Sequence, residues 1–444
     1  MRNFLPSLLA IILCAGFSHA MDRAHFIELN KKGRELAQKQ DWKGLREVLI
    51  EIRREMPGPT PRFLLRMASV ETHLGNKAEA LRWMEQYAAM GLTYDVAADD
   101  DLKPLLADEG FKKVAAQMAE RAKPLASAEL VCALPQADIM PEDITYVKSS
   151  STFIVSSVQH HMLYRVSLPK PGAKECSMQE LSLPAEAKRW PTMAVSADPK
   201  RKILWVTSSA LPDFAGFPKE DQGKTLLLEV EEASGKVLHS FDPGTAGPAA
   251  LGDMSVTADG IVYVTDSIGG GVYRLQGNPQ TAKLEKIADG FFSPQSPVLA
   301  RDGKRLFVAD YSMGIAVIDL TAANTDGKLN YLHCPDNIAT TGIDGLYLFG
   351  DSLIGIQNGI EPIRIVRFRL NHAQTEITAA EVMEQATERM GDPTHAVAVD
   401  GWFYVSANVG WSKVDDAGKL KPGENFTAPV LLRFPLEPGR DKRP

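Results

Sequence analysis

Acids, amides and one histidine recur at a single place along this chain, immediately before an apolar strand. The strings are Pro141-Glu142-Asp143-Ile144, Trp190-Pro191-Thr192-Met193, Leu251-Gly252-Asp253-Met254, Pro294-Gln295-Ser296-Pro297, Ile343-Asp344-Gly345-Leu346 and Asp392-Pro393-Thr394-His395. A second polar set, Ser157, Ser208, Asp266, Asp310, Asn358 and Ala407-Asn408, follows the apolar end of the next strand in each case. Brought together at one end of a common axis, these residues make an oxygen-rich cavity with several carboxylates. That donor set suits a hard cation such as Ca²⁺, because carboxylates crowded without one repel and must share protons. Asp143, Asp253, Asp310, Asn358 and Asn408 are the candidates for binding a small polar ligand there, and His395 is placed by the repeat at the same channel. The same residue types also build turns and hold channel water, so both readings stand at this point. Asp259-Gly260, Asp302-Gly303 and Asp400-Gly401 belong to hairpin turns.

The elements that must position these residues repeat six times. Phe153-Ile154-Val155, Leu204-Trp205-Val206, Val262-Tyr263-Val264, Leu306-Phe307-Val308, Ile354-Gly355-Ile356 and Phe403-Tyr404-Val405 end 51, 58, 44, 48 and 49 positions apart. Such spacing fits four short strands and their connections per unit, the pattern of a six-bladed β-propeller. Closing sheets around one axis makes equivalent positions of every repeat meet in a ring. The last unit offers only three strands, Thr394–Val399, Trp402–Ser406 and Val430–Leu436, while residues 128–134 alternate as a strand far upstream. The expectation is a propeller over 128–436 whose missing strand comes from 128–134, which also removes an exposed sheet edge.

Residues 21–123 carry a helical period instead. Phe26, Leu29 and Leu36 share a face, then Leu45, Val48, Leu49 and Ile52; Phe63, Met67 and Val70 are followed by Leu81, Met84 and Tyr87. The prolines of Pro57-Gly58-Pro59-Thr60-Pro61 separate the two hairpins, and a further helix is expected from Gly110 to Glu120. His73-Leu74-Gly75-Asn76-Lys77-Ala78-Glu79-Ala80-Leu81 resembles the inter-helix turn of a tetratricopeptide repeat, and Gln40 and Gly75 open matching segments 35 positions apart. That resemblance implies either a shallow groove for a peptide or protein partner or a packing cap beside the propeller.

The remaining features bound the setting. The chain has 444 residues, 44% apolar and 24% charged, with a net charge of −7 and no basic run except Arg440, Lys442 and Arg443, which argues against nucleic acid or an anionic membrane as partner. Residues 1–20 read as a cleaved secretory signal, with Arg2, an apolar stretch from Phe4 to Phe17, and Ser18-His19-Ala20 as the small-x-small site. Nothing later is apolar enough to span a membrane, so a periplasmic or secreted protein is expected, with 437–444 as a polar tail. Cleavage leaves Cys132, Cys176 and Cys334, an odd number in a compartment that permits disulfides. One bridge with a free thiol, or none, are both open, and a Cys132–Cys176 bridge would join the last blade to the first.

Over 128–436 the chain resembles the gluconolactonase and regucalcin-like six-bladed propellers. The residues that carry this are Pro141-Glu142-Asp143-Ile144-Thr145-Tyr146, Gly252-Asp253-Met254-Ser255-Val256 with Tyr263-Val264-Thr265-Asp266-Ser267, and Asp302 through Asp310. The resemblance implies a divalent cation, Ca²⁺ among the candidates, held by Glu142, Gln295 and Asp344, with Asp344 also serving as base. Gln295 stands where the family has an asparagine, and Gly252 where it often has an amide. The implied activity is metal-dependent hydrolysis of a lactone or ester, with the ion polarising the carbonyl and Asp344 or His395 activating water. The competing reading is a non-catalytic scaffold that binds a ligand at the propeller and a protein at the helices.

Overall fold

The computed structural model describes residues 21–437 except 171–173, 182, 186, 188, 189, 199, 213 and 323–325; residues 1–20, expected from sequence to be a secretory signal, and residues 438–444 of the expected tail lie outside the described residues. Six antiparallel sheets form the blades of a β-propeller, at residues 144–181, 192–241, 251–288, 294–331, 343–385 and 396–435. The β-branched and aromatic second strands supply the core: Ile154, Leu204, Val206, Val264, Val308, Ile354 and Val405 are buried between neighbouring sheets. Such residues suit a pleated strand covered on both faces.

The sixth blade takes its outermost strand from Glu129–Ala133, which pairs with Val430–Pro435 through Glu129↔Arg433 and Ala133↔Val430. A disulfide between Cys132 and Cys176, with Cα atoms 5.5 Å apart, then ties this strand to the outer edge of the first blade. Cys334 remains a thiol.

Among the described residues five α-helices precede the propeller: α1 (Arg23–Gln38), α2 (Trp42–Glu55), α3 (Pro61–His73), α4 (Lys77–Ala89) and α5 (Glu109–Arg121). Their starts are written in the sequence. Asp22, Asp41, Thr60 and Asp108 each accept from backbone N–H groups of the following first turn, and Pro61 occupies a position where no intrahelical donor is needed. Leu45, Val48, Leu49, Ile52, Phe63, Met67, Val70, Met84 and Tyr87 are buried in one core. Among the described residues no helix is long and apolar enough to cross a membrane.

The helices are docked on the propeller. Their core continues into Met313 and Ala339, with Phe292 and Ile360 packed against it, so loops of the fourth and fifth blades share it. Met21–Asp22 adds a fifth strand to the fourth blade, pairing with Leu329 and Lys328. Thr93 N–H donates to Glu361 O (2.8 Å), and Arg364 donates to the carbonyls of Met90 (3.2 Å) and Gly91 (3.3 Å). Gln385 reaches the carbonyls of Arg121 (2.6 Å) and Lys123 (2.9 Å), fastening the far end of α5. These loops lie on the face where first strands begin and second strands end, so the helices stand beside the channel mouth.

Candidate metal centre

A shared local device aims the polar residues into the mouth. The ladder between first and second strands shifts register between Thr192 and Val195, Leu251 and Met254, Pro294 and Pro297, and Ile343 and Leu346. An extra residue in a strand re-aims the side chains beside it, and these four irregularities contain Asp253, Gln295 and Asp344. Backbone room is needed as well: a Cβ on Gly345, next to Asp344, would stand 2.8 Å from the Thr394 carbonyl oxygen. At Gly252 an added Cβ would meet nothing within 4 Å, so the third blade leaves open space in the ring.

Ligand atoms of Glu142, Asp344 and His395 lie within 4.8 Å of one another. Three blades contribute them, the first, fifth and sixth. Each carboxylate is anchored by one oxygen only. Trp411 Nε1 donates to Glu142 Oε2, and Asn358 Nδ2 donates to Asp344 Oδ2 (2.7 Å). Asn358 is held in turn by donating to Pro393 O (3.0 Å) and by accepting from the Tyr311 hydroxyl (3.0 Å). Glu142 Oε1 and Asp344 Oδ1 meet no donor among the described residues, so both are available to a cation. Anchored second oxygens of this kind orient metal ligands.

His395 is differently placed. Its Nδ1 lies 2.9 Å from the Glu142 backbone carbonyl, which only accepts, so Nδ1 carries a proton. Nε2 lies 2.8 Å from Asp253 Oδ2, which also accepts from Ser296 Oγ (2.9 Å). The ring is 3% exposed and Asp253 5%. Burial alone favours a neutral ring, but the Asp253 carboxylate, backed by Tyr347 and Asp143, outweighs it and holds the imidazole well above its usual pKa. Either ring nitrogen would have to leave its partner to take a cation or a proton from water. As built, His395 acts as the internal counter-charge of the mouth.

One imidazole faces four carboxylates. Burial first, then Asp344, pushes Glu142 up to about 8. Burial pushes Asp344 up to about 6, His395 pulling the other way, and Asp143 likewise to about 6. Without further positive charge the site therefore holds protons near neutrality. Two oxygens free of donors and excess negative charge fit a divalent cation.

The other sequence candidates divide. Asp143 stays at the mouth but satisfies the backbone, accepting from Ile144 N–H (2.7 Å) and Val195 N–H (2.9 Å), which locks the first blade to the second. Gln295 donates from Nε2 to Ser293 Oγ (3.0 Å), and Asn358 serves Asp344. Asp310 is buried in its own turn, accepting from Phe292 N–H (2.9 Å) and Ser312 N–H (3.1 Å). Asn408 points to the 427–428 segment, donating to Thr427 Oγ1 (2.8 Å) and Ala428 O (2.9 Å). Neither Asp310 nor Asn408 joins the cluster.

Trp411 was invisible to the repeat because it lies in a connection of the last blade. Its position is set by Asp392, whose carboxylate accepts from Gly410 N–H (3.0 Å) and Ser412 N–H (2.8 Å). Phe214 and Phe426 pack beside it with Met140, Val158 and Val414, making an apolar wall on the side of the mouth away from the helices.

No family model matches the sequence, and no curated protein matches it. Several solved structures are similar to it in part. Regucalcin of Agrobacterium tumefaciens, a calcium-binding protein, is 15% identical, with 70% of this chain and 93% of that one covered and a TM-score of 0.44. The PQQ-bound aldose sugar dehydrogenase of Streptomyces coelicolor is 14% identical, covering 70% and 98%, with a TM-score of 0.45. Virginiamycin B lyase of Staphylococcus aureus is 14% identical, covering 69% and 88%, with a TM-score of 0.42.

Proposed function

We propose that the propeller mouth binds a divalent cation, with Ca²⁺ first among the candidates, and hydrolyses a lactone or ester of a small polar molecule there. One observation carries this reading: Glu142 and Asp344, 202 positions apart in sequence, bring carboxylate oxygens within 4.8 Å of each other and of a ring nitrogen of His395. A bound divalent ion supplies Lewis acidity at a carbonyl oxygen. Glu142 and Asp344 hold it, oriented by Trp411 and Asn358, and Gln295 offers a neutral amide oxygen. Asp344, whose Oδ2 is fixed by Asn358, is the group that accepts a proton from attacking water. The gap at Gly252 and the apolar wall around Trp411 give a small molecule its place. Export to the periplasm belongs to the same reading, and the Cys132–Cys176 bridge supports an oxidising compartment.

A second reading keeps the cation and drops the chemistry. It is favoured by His395, whose ring nitrogens are both engaged. Calorimetric titration with Ca²⁺ and Mg²⁺ decides whether either stands: Glu142→Gln and Asp344→Asn should each weaken binding about tenfold or more, ~1.4 kcal/mol. Hydrolysis of a lactone and ester panel should vanish with chelator and return with one ion. Binding without turnover leaves this second reading, and no divalent binding at millimolar concentration sinks both, leaving ahead a non-catalytic scaffold that needs no cation.

A further inference from the structure

Helices α1 and α3 bring three guanidinium groups to one cavity between the helical module and the propeller mouth. Its volume is about 640 Å³, and Arg34, Arg62 and Arg66 line it together with Phe292 and Tyr311 on the propeller side. Among the described residues no Asp or Glu lines it. Among the described residues, none of the three arginines has a carboxylate partner, in a chain whose net charge is −7.

Arg66 is built into place. Its Nη1 donates to Asn30 Oδ1 (3.0 Å), and Gly33 leaves room for the guanidinium, since a Cβ there would stand 3.1 Å from Nη2. Burial, then the positive charges of Arg62 and Arg34, lowers the Arg66 pKa. Three neighbouring cations without a counter-charge repel one another across a partly enclosed space, and an anion relieves that repulsion. The planar fork of arginine matches carboxylate and phosphate oxygens pairwise. Tyr311, on the opposite wall, donates to Asn358, which donates to Asp344. The cavity thus lies two hydrogen bonds from the carboxylates of the mouth.

We propose that this cavity binds the anionic group, carboxylate or phosphate, of a small organic ligand through Arg34, Arg62 and Arg66. Anion binding here shares no residue with the cation cluster; only the extension of the same ligand to the mouth rests on the cation reading. The helical module then has a role in recognition, supplying the positive half of a site whose other half is propeller.

The test is calorimetric titration of the full mature chain with inorganic phosphate and with succinate at constant ionic strength. Saturable binding of at least one probe is expected, with a dissociation constant below about 10 mM. Arg62→Ala and Arg66→Ala should each weaken it about tenfold, and Glu142→Gln should leave it unchanged. Arg62 is exposed, so its removal leaves the fold intact even where Arg66→Ala lowers the thermal midpoint. Failure of both probes to saturate, or equal binding by the arginine variants, overturns the proposal. Loss of binding in Glu142→Gln also overturns it, by moving the anion onto a cation at the mouth.

Discussion

Glu142, Asp143, Asp253 and Asp344 share the mouth with a single imidazole, and this imbalance makes the ion-free protein sensitive to pH. Glu142 titrates at about 8 in the folded chain against about 4.5 unfolded, so it binds a proton more tightly when folded. Its contribution to stability is full below about 4.5 and is lost as pH rises through about 8. Asp143 and Asp344 act in the same sense up to about 6. Without divalent ions the thermal midpoint should therefore fall between about pH 5 and 8, and more gently in Glu142→Gln; Ca²⁺ should stabilise most at the alkaline end. Melting curves across this range check it, and a midpoint that rises with pH in chelated protein would refute it. Asp253→Asn should be among the most damaging substitutions in the ring, costing about 3–5 kcal/mol, because it strips a buried imidazolium of its partner. Denaturant titration measures this, and an unchanged stability would mean the ring is neutral. Sequence position nominated Glu142, Asp253, Asp344 and His395 because equivalent places in a closed ring must converge. Asp310, in the register of Asn358, and Asn408, one position beyond that register, stay out of the cluster because they face backbone donors and a neighbouring loop. Sequence position could not nominate Trp411, Ser296 or Tyr311, whose parts depend on contacts between blades and loops.

At the scale of elements, the strand Glu129–Ala133 and its disulfide fasten the ring twice over. Hydrogen bonding joins the strand to the last blade, and Cys132–Cys176 joins it to the first across 44 residues of chain. Replacing both cysteines by serine should lower stability by about 4 kcal/mol on the chain-entropy account of such a loop. Equilibrium denaturation of the oxidised protein and the double variant checks the figure, and equal stability would show that strand pairing alone closes the ring. The strand was legible in sequence through its alternation and through the deficit in the last unit. The pairing of Met21–Asp22 with the fourth blade was not, since two residues carry no period. The bulges that aim Asp253, Gln295 and Asp344 were equally hidden, because a register shift is a relation between two strands and leaves no fixed mark in either.

For the molecule as a whole, the change from helical to alternating period announced two regions, while their docking was silent because loops make most of it. Met313, Ala339 and Phe292 are covered by the helices, and Arg364 gives its guanidinium to Met90 and Gly91. Deleting residues 21–123 should therefore lower the thermal midpoint of the remaining propeller and promote aggregation through the uncovered apolar loops. Light scattering during a thermal ramp, against the full chain, tests this; an equally stable, monodisperse propeller would show the helices to be an appendage. The strand at Glu129–Ala133 has one more consequence, in the order of events during synthesis. It leaves the ribosome long before its partner Val430–Pro435, since Ala133 and Val430 are 297 positions apart in the chain. Through the whole interval an early strand must wait with an unpaired edge, exposed to wrong partners. A chain cut short before Val430 would leave that wait without an end.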